Sequence, residues 1–448
     1  MKRRRKAKGS GPTRPRKVLS LDGAMGLHKS GNLVEAERAY RRLILEKPRH
    51  PHALYLCGVV TAQLGHPHDA IELLQEAVSH KPDHVQSIGE LAKLFQETGQ
   101  LEASAAALRK LIALRPDLGD LHSNLAIVLK RLGEPEEAIV ECENAIRMNP
   151  KGAEAHSILG DVLKELRKFD EATAAYRRAI ALNPGLTDVY RLLVATLRNS
   201  DKHDEVTGVL KQWLMHEPDH PIAQHMMAAY GGDDTPSRAS DDYVRQVFDE
   251  FAATFDRALD GLDYQGPQLI GGALSAEWPG GVDGLEVLDA GCGTGLCGPF
   301  LRPVARRLIG VDLSEVMIQQ ARKLNLYDDL VEAELTDYLS HHPQTFDLIA
   351  AADTFNYFGD LEPLLGAASH ALRETGVLVC TLEEGDAEAS PPGYRLNLHG
   401  RYSHQEDYVV RCMTECGLSI SSTESATLRK ERDQPVTVMV VRARKIDS

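Results

Sequence analysis

Long apolar runs are missing from this sequence. No stretch approaches the roughly 20 apolar residues that a membrane-spanning helix needs, and no apolar segment follows Met1. Cysteine is scarce: the seven cysteines are odd in number and lack zinc-ligand spacing, and we interpret Cys412 and Cys416 as packing residues. The eighteen histidines contain no His-Glu-x-x-His pattern. These absences predict a protein of the reducing cytoplasm, with no metal site and no membrane span.

Charge is unevenly distributed along the chain. Residues 1–17 hold nine of the 51 Lys and Arg residues and no acid, which leaves 42 basic against 65 acidic residues in the remainder. A run of one sign is usually disordered, so we expect a disordered basic tail, either for an anionic partner or without a dedicated ligand. Nucleic-acid affinity rests largely on Lys and Arg at phosphates, so the acidic remainder argues against a nucleic-acid partner.

One residue pattern repeats through the first half of the chain. Its clearest mark is a proline every 34 residues, at Pro48, Pro82, Pro116, Pro150, Pro184 and Pro218. Glycines recur at a second position of the same 34-residue frame: Gly31, Gly65, Gly99 and Gly133. A third position holds small residues: Ala36, Ala70, Ser104, Ala138 and Ala172. Small residues let paired helices approach closely, and proline ends each unit because it cannot continue a helix. The pattern resembles the tetratricopeptide repeat.

That resemblance implies an all-α tetratricopeptide solenoid over residues 18–229, with about six repeats and a capping helix. The sixth repeat departs from the pattern, with Asp201 and Val206 at the glycine and alanine positions, as terminal repeats often do. Residues 230–239, rich in Gly, Asp and Pro, are predicted to be a linker.

Tetratricopeptide solenoids commonly hold a peptide in a concave groove, so the resemblance implies a protein or peptide partner. The candidate groove residues form a mildly basic line that suits an acidic segment. They are Tyr55, Lys93, Lys130, Lys164, Arg191 and Arg198. A solvated helix face explains them equally well.

A glycine-rich turn follows an apolar strand in the second half of the chain. The predicted strand, 285–288, runs into Asp289 and then Gly291, Gly293 and Gly295. Glycines at this spacing let the backbone turn sharply and approach a ligand closely. The spacing also fits a dinucleotide-binding fingerprint, but a carboxylate at Asp289 would repel a pyrophosphate and attract the sulfonium and ammonium of S-adenosylmethionine. The charge therefore favours S-adenosylmethionine as co-substrate.

Residues 287–295 resemble the first motif of the class I S-adenosylmethionine-dependent methyltransferases, and residues 240–448 as a whole are similar to that superfamily. The resemblance implies a doubly wound Rossmann-like α/β domain behind the all-α repeats. The predicted strands are 285–288, 307–312, 330–333, 346–352, 377–382 and 435–441. Candidate cofactor-binding residues are Asp289, Gly291, Gly293, Gly295, Asp312 for the ribose, Glu334 for the adenine amino group, and Asp353. The aromatic segment 247–256 is either a short helix over the cofactor or a packing helix between domains.

The strand predicted over 346–352 should end beside the transferred methyl group. Its continuation departs from the Asn/Asp-Pro-Pro-Tyr sequence of enzymes that methylate amino groups in nucleic acids, which argues against base methylation. Asp353, Tyr357 and His404 are the catalytic candidates, with Tyr402 as a further one; capping or packing a helix is an equal alternative for His404. The Gly-Arg-Tyr-x-His segment at 400–404 resembles a bacterial group of predicted methyltransferases with tetratricopeptide repeats.

Several functions are compatible with this combination. The favoured one is an active methyltransferase whose repeats recruit a protein substrate or partner. The alternatives are a small-molecule methyltransferase that uses the repeats for assembly, and a repeat scaffold with a degenerate catalytic domain. The intact Asp289, glycines and Asp312 argue against the scaffold, and Asp289 argues against a nicotinamide dehydrogenase. Acceptor and oligomeric state stay open.

Overall fold

The described part of the chain divides into two compact units, with the boundary between His203 and Asp204. The structure, a computed structural model, describes residues 20–231, 235–252, 254–385, 393–431 and 434–446. The basic tail predicted for 1–17 lies outside these residues, as do 232–234 of the predicted linker and Ala253 of the aromatic segment.

The first unit is built from helices that pack consecutively along the chain. They are α1 Leu21–Lys29, α2 Leu33–Glu46, α3 Pro51–Gln63, α4 Pro67–His80, α5 Val85–Glu97, α6 Leu101–Leu114, α7 Gly119–Leu132, α8 Pro135–Met148, α9 Ala153–Glu165, α10 Phe169–Leu182 and α11 Thr187–Asn199. Each repeat contributes two helices, and its proline stands just after the second one, as Pro48 follows α2. The predicted solenoid of helix pairs is confirmed.

Small residues explain why the paired helices lie so close together. A Cβ on Gly160 would stand 2.6 Å from the ring of Tyr176, so only glycine fits at that crossing. The frame alanines, among them Ala36 and Ala172, are fully buried between helices. Ser104 takes the same position in its repeat, and its hydroxyl donates to the carbonyl of Ala92 at 2.7 Å, so the buried polar group is satisfied.

The second unit joins helices to one large sheet. Its helices are α12 His203–His216, which starts at the boundary, α13 Pro221–Gly231, α14 Asp241–Phe251, α15 Phe255–Asp260, α16 Gly266–Glu277, α17 Gly298–Leu301, α18 Glu315–Lys323, α19 Leu335–Ser340, α20 Glu362–Ala371 and α21 Glu406–Glu415, with a 3₁₀ turn at Phe355–Tyr357. Its strands are β1 Leu285–Ala290, β2 Ala305–Asp312, β3 Asp329–Glu332, β4 Phe346–Ala351, β5 Leu372–Glu384, β6 Tyr394–Leu396, β7 Tyr402–His404, β8 Leu418–Glu431 and β9 Gln434–Lys445.

The sheet has the doubly wound order that the sequence predicts. Strands β3, β2, β1, β4 and β5 lie side by side and parallel, and β9 pairs antiparallel with β5 and with β8. The short hairpin of β6 and β7 adds to the end of β5. Five parallel strands end at one edge, where ligands of such sheets bind. The fold class is thus confirmed, although β6, β7 and β8 were not predicted.

Both faces of the parallel strands β1, β2, β4 and β5 are buried over much of their length, which explains their continuous apolar character. Leu288, Ile309 and Ile349 pack on one face, and Val287, Leu308 and Leu348 pack on the other. Among the helices of the described ranges, none combines the length and apolar character needed to cross a membrane.

Candidate active site

A cavity of about 220 Å³ opens where β1, β2, β3 and β4 end. The loops after these four strands form its floor, and α14 and α15 form its roof. Of the residues that the sequence singles out, the cavity wall includes Gly291, Gly293, Asp312, Glu334, Asp353 and Tyr357. The structure therefore brings together residues from four separate strand ends.

The glycine loop lies between β1 and the cavity. Gly291 has φ +74°, and a Cβ there would stand 2.3 Å from the hydroxyl oxygen of Thr354. Gly293 has φ +54° and open space where a Cβ would project. Gly295 does not line the cavity; a Cβ there would stand 2.9 Å from Leu324. A ligand can thus approach the backbone most closely at Gly293.

Asp312 is fixed at the end of β2 with its carboxylate toward the cavity. It accepts hydrogen bonds from the backbone N–H groups of Gly293 and Ser314, each at 2.9 Å. Burial raises the pKa of Asp312, and these hydrogen bonds oppose the rise. Both oxygens retain lone pairs that can accept from hydroxyl groups of a ligand.

Asp289 lies beneath the glycine loop and not in the cavity wall. Its side chain is buried and accepts a hydrogen bond from the Tyr327 hydroxyl at 2.6 Å. Burial raises the pKa of Asp289 to about 7, the Tyr327 hydrogen bond lowers it, and the charge of Asp312 raises it further. In this position the Asp289 carboxylate is separated from the cavity by the glycine loop.

Glu334 forms the cavity wall after β3, but both of its oxygens already accept hydrogen bonds. One accepts from the backbone N–H of Asp337 at 2.7 Å and caps α19, and the other accepts from Arg238 at 2.7 Å. Arg238 also reaches Asp241 at 2.8 Å, so it connects the start of α14 to the end of β3. An adenine amino group at Glu334 would have to share these oxygens.

An ion-pair network forms the end of the cavity beside β4, β5 and β8; we call it the arginine cluster. It consists of Arg401, Arg429, Asp353, Glu383 and Glu431. Arg429, with 2% of its side chain exposed, donates to Asp353 at 2.9 Å, to Glu431 at 2.8 Å and to Glu383 at 2.5 Å. Arg401 donates to Glu383 at 2.7 Å and to Glu431 at 2.5 Å. These ion pairs lower the pKa of Glu431 to about 2.

Asp353 and Tyr357 lie where this cluster meets the 3₁₀ turn after β4. Asp353 has φ +56°, an unusual conformation for a residue other than glycine, and its carboxylate accepts from both Asn356 and Arg429. Tyr357 packs edge-on against Phe248 of α14, with 5.5 Å between ring centroids. Burial raises the pKa of Tyr357, so its hydroxyl remains protonated at neutral pH. The Tyr357 hydroxyl is therefore a hydrogen-bond donor at neutral pH.

The roof is attached to the strand ends by side-chain hydrogen bonds. Asp249 accepts from Ser314 after β2 at 2.5 Å, and Asp256 accepts from Thr294 of the glycine loop at 2.6 Å. The aromatic segment 247–256 is therefore the end of α14 and the start of α15, and Phe248 lines the cavity. Helix α13 contacts α14 through the rings of His225 and Tyr243, stacked at 3.8 Å.

Two further sequence candidates lie away from the cavity wall. His404 is fully buried in β7, and its Nε2 donates to the backbone carbonyls of Phe358 at 2.8 Å and Gly359 at 3.2 Å. Burial lowers the pKa of His404 to about 4. The Tyr402 hydroxyl donates to the carbonyl of Pro236 at 2.8 Å. Both side chains anchor neighbouring backbone, which is a structural role.

The cavity also contains functional candidates that the sequence did not reveal. Arg238 falls in the predicted linker, and Arg429 lies on the unpredicted strand β8. Arg401 belongs to the Gly-Arg-Tyr-x-His segment, where the neighbouring histidine drew attention instead. Arg429 lies near the end of β8, two residues before Glu431, and nothing in the local sequence marks it as buried. Arginine is rarely buried without ionic partners, so its burial fits the ion pairs described above.

Family models match two separate parts of the chain. A model described as a methyltransferase domain matches residues 287–376, and two models described as tetratricopeptide repeats match 21–85, 123–187 and 61–123. The protein combines tetratricopeptide repeats with a class I methyltransferase domain.

Curated relatives resemble part of that domain. A ubiquinone biosynthesis O-methyltransferase of Thiobacillus denitrificans is 32% identical over 100 residues, 21% of this chain and 42% of the relative. A malonyl-[acyl-carrier protein] O-methyltransferase of Pectobacterium atrosepticum is 29% identical over 156 residues, 34% of this chain and 59% of the relative. The chain thus spans about half the length of these relatives. A tetratricopeptide repeat protein of Parabacteroides merdae superposes with a TM-score of 0.40 and 15% identity, over 47% of this chain and 82% of that one.

Proposed function

We propose that the second unit is an S-adenosylmethionine-dependent methyltransferase and that the repeats recruit its protein substrate or partner. The observation that carries the enzymatic part is the cavity at Gly293 and Asp312. It offers open backbone and a fixed carboxylate at neighbouring strand ends. Asp289 adds a negative charge beneath the loop, which suits a cationic ligand.

S-adenosylmethionine would supply a methyl group on a positively charged sulfur that leaves readily. The protein's own contribution is then alignment and exclusion of water. Asp312 would hold the ribose, the acid at Glu334 would face the adenine, and Phe248 and Phe255 of the roof would cover the reacting groups. Phe248 contacts both Phe255 and Tyr357 by ring packing, so the roof reaches the end where the acceptor would lie.

Calorimetric titration with S-adenosylmethionine tests this proposal. We expect Asp312→Asn to lower affinity roughly ten- to a hundred-fold, because a charge-assisted hydrogen bond contributes about 1.5–3 kcal/mol. Gly293→Val should be more severe, since its side chain would occupy the open space above the loop. The matched control is Asp329→Asn. Asp329 is an exposed acid on β3 that pairs with Arg307 on β2. Unchanged affinity in both site variants would refute the proposed pocket.

The proposed groove rests on a line of cations over three successive repeats. Lys130 lies on α7, Lys164 on α9 and Arg191 on α11, each in the first helix of its pair. Burial lowers the pKa of Lys164, and the charges of Lys130 and Arg191 lower it further, so the three groups are close. Acids are interspersed, since Lys130 lies 3.5 Å from Asp161. A negatively charged segment would relieve the repulsion among the cations.

Charge removal tests recruitment. The triple variant Lys130→Gln, Lys164→Gln, Arg191→Gln should reduce methyl transfer to acceptors of a cell extract and leave cofactor affinity unchanged. The control removes three exposed cations from the second helices, by Lys110→Gln, Arg147→Gln and Arg178→Gln. Equal transfer by both triple variants would contradict recruitment through the groove.

A small-molecule acceptor is the second candidate, because the relatives are named for ubiquinone biosynthesis and for malonyl-[acyl-carrier protein]. Separating labelled products into macromolecular and low-mass fractions distinguishes it from the first. A cytoplasmic location is part of the proposal. All seven cysteines are free and six are buried, which suits a reducing compartment.

A further inference from the structure

The carboxylates around the cavity are already committed as hydrogen-bond acceptors. Asp312 accepts from two backbone N–H groups, Glu334 from Arg238 and its own helix, and Asp353 from Asn356 and Arg429. Glu431 accepts from both arginines of the cluster, and its pKa of about 2 makes it a very weak base. Burial raises the pKa values of the cavity thiols, so these remain protonated. Asp241, the remaining carboxylate of the described cavity wall, accepts from Arg238 at 2.8 Å. Every carboxylate of the described wall is therefore already engaged by at least one hydrogen-bond donor.

Hydrogen-bond donors, by contrast, remain available at the arginine cluster. Arg401 uses Nε and Nη2 for Glu383 and Glu431, while its Nη1 has no acceptor among the described residues. The Tyr357 hydroxyl likewise has no partner in the described part of the chain. The positive charge of Arg401 opposes the rise in the pKa of Tyr357, so the two groups are neighbours. Both side chains line the cavity.

Given the proposed methyltransferase function, we infer that the acceptor is a carboxylate, held by Arg401 and Tyr357 and converted to a methyl ester. A carboxylate is already ionised at neutral pH and needs no general base. It also accepts the two kinds of donor that this end of the cavity offers, including a charge-assisted bond from guanidinium. A hydroxyl, thiol or ammonium acceptor would have to lose a proton, and each carboxylate of the described wall is already engaged by a hydrogen-bond donor.

The reaction balances without a further reactant. A lone pair on the carboxylate oxygen attacks the methyl carbon, and a carbon–oxygen bond forms as the carbon–sulfur bond breaks. The bonding pair stays on sulfur, so the sulfonium becomes a neutral thioether and the carboxylate becomes a neutral ester. No proton is transferred. The arginine cluster keeps its charges, and its three carboxylates hold the two guanidinium groups in place.

The chemical stability of the product tests the inference directly. The full-length protein is incubated with S-adenosylmethionine tritiated in the methyl group and with extract from a strain that lacks the protein. Methyl esters hydrolyse in mild alkali and release volatile methanol, whereas N-methyl, S-methyl and ether products do not. We expect the transferred label to become volatile. Before alkali treatment, the labelled product is separated by size. Label in the macromolecular fraction indicates an acidic group of a protein, and label in the low-mass fraction indicates a small carboxylic acid.

Substitution of Arg401 then tests the assigned donor. Arg401→Gln should raise the KM for the acceptor at least about tenfold, with the cofactor dissociation constant within about twofold of wild type. Arg401→Lys, which keeps the charge, should recover part of the loss. The matched control is Arg395→Gln, on the exposed face of β6 in the same hairpin and outside the cavity wall.

Two results would overturn the carboxylate assignment alone. The first is transferred label that is stable to alkali. The second is an Arg401→Gln variant that loses cofactor affinity as strongly as it loses acceptor affinity, because Arg401 would then hold the carboxylate of the cofactor. Absence of any cofactor binding in calorimetry would overturn the methyltransferase proposal together with this inference. Alkali-labile label from the wild-type protein supports both, even where a variant folds poorly.

Discussion

Replacing Asp289 by asparagine should stabilise the unliganded protein at pH 8 and weaken cofactor binding at the same time. Asp289 is 2% exposed, and burial raises its pKa from 3.8 to about 7. A rise of that size means that ionising the carboxylate costs roughly 4 kcal/mol more in the folded state than in the unfolded chain. Asparagine carries no charge, and its amide oxygen can still accept the hydrogen bond from Tyr327.

The direction of the pH dependence follows from proton binding. Between about pH 4 and pH 7 the folded protein keeps a proton on Asp289 that the unfolded chain has released. Stability therefore falls as pH rises through this window and is constant above it. Relative to the asparagine variant, the wild type should lose roughly 3 kcal/mol between pH 5 and pH 8.

Urea unfolding followed by tryptophan fluorescence measures this difference. Both tryptophans, Trp213 and Trp278, belong to the second unit, so the signal reports the unit that contains Asp289. Calorimetry at pH 8 should show weaker S-adenosylmethionine binding by the variant, and wild-type affinity should decrease about tenfold per pH unit below pH 7. A stability difference that does not change between pH 5 and pH 8, or equal cofactor affinity, would refute the role given to Asp289.

Three further predictions concern the roof, the domain boundary and the repeats. Phe248→Ala should increase the rate of cofactor release in stopped-flow measurements, because the roof loses its aromatic contacts; an unchanged rate would show that the roof does not retain the cofactor. A fragment of residues 204–448 should unfold cooperatively and bind cofactor, whereas 240–448 should be less stable because it lacks the backbone contacts of the preceding segment; equal urea midpoints would contradict this. Gly160→Ala should destabilise the repeats by about 1–3 kcal/mol through overpacking, while Gly89→Ala, whose added methyl meets only one atom at 4.0 Å, should stabilise them by up to about 1 kcal/mol. Circular dichroism melts of both variants measure the difference.

Periodic and local signals explain what the sequence revealed. The 34-residue period identifies the solenoid because every repeat applies the same packing rule at the same position, as the burial of Ala36 and Ala172 shows. Apolar runs that lead into an acid or a glycine correctly predicted where β1, β2 and β4 end. Ser314, which follows β2, caps α18 by accepting from the N–H of Met317 at 3.1 Å.

Long-range ion pairing explains what the sequence concealed. Arg429 lies 76 residues from Asp353 and 46 from Glu383 along the chain, so nothing local connects them. The linker composition of 230–239 gave no sign that Arg238 reaches Glu334. Sequence alone also placed Asp289 in contact with the cofactor. In the structure it lies beneath the glycine loop, because it belongs to β1, which is buried on both faces.

The stacking of His225 on Tyr243 has a thermodynamic consequence for the roof. Helix α14 carries Phe248 over the cavity and contacts α13 through this ring pair, so the positions of the two helices are coupled. Any partner that orders α13 in its present position should therefore strengthen cofactor binding. Linkage makes the effect mutual: the factor by which the partner tightens the cofactor equals the factor by which the cofactor tightens the partner. Titrating either one in the presence of the other would measure that coupling, and independent affinities would mean that α14 moves without α13.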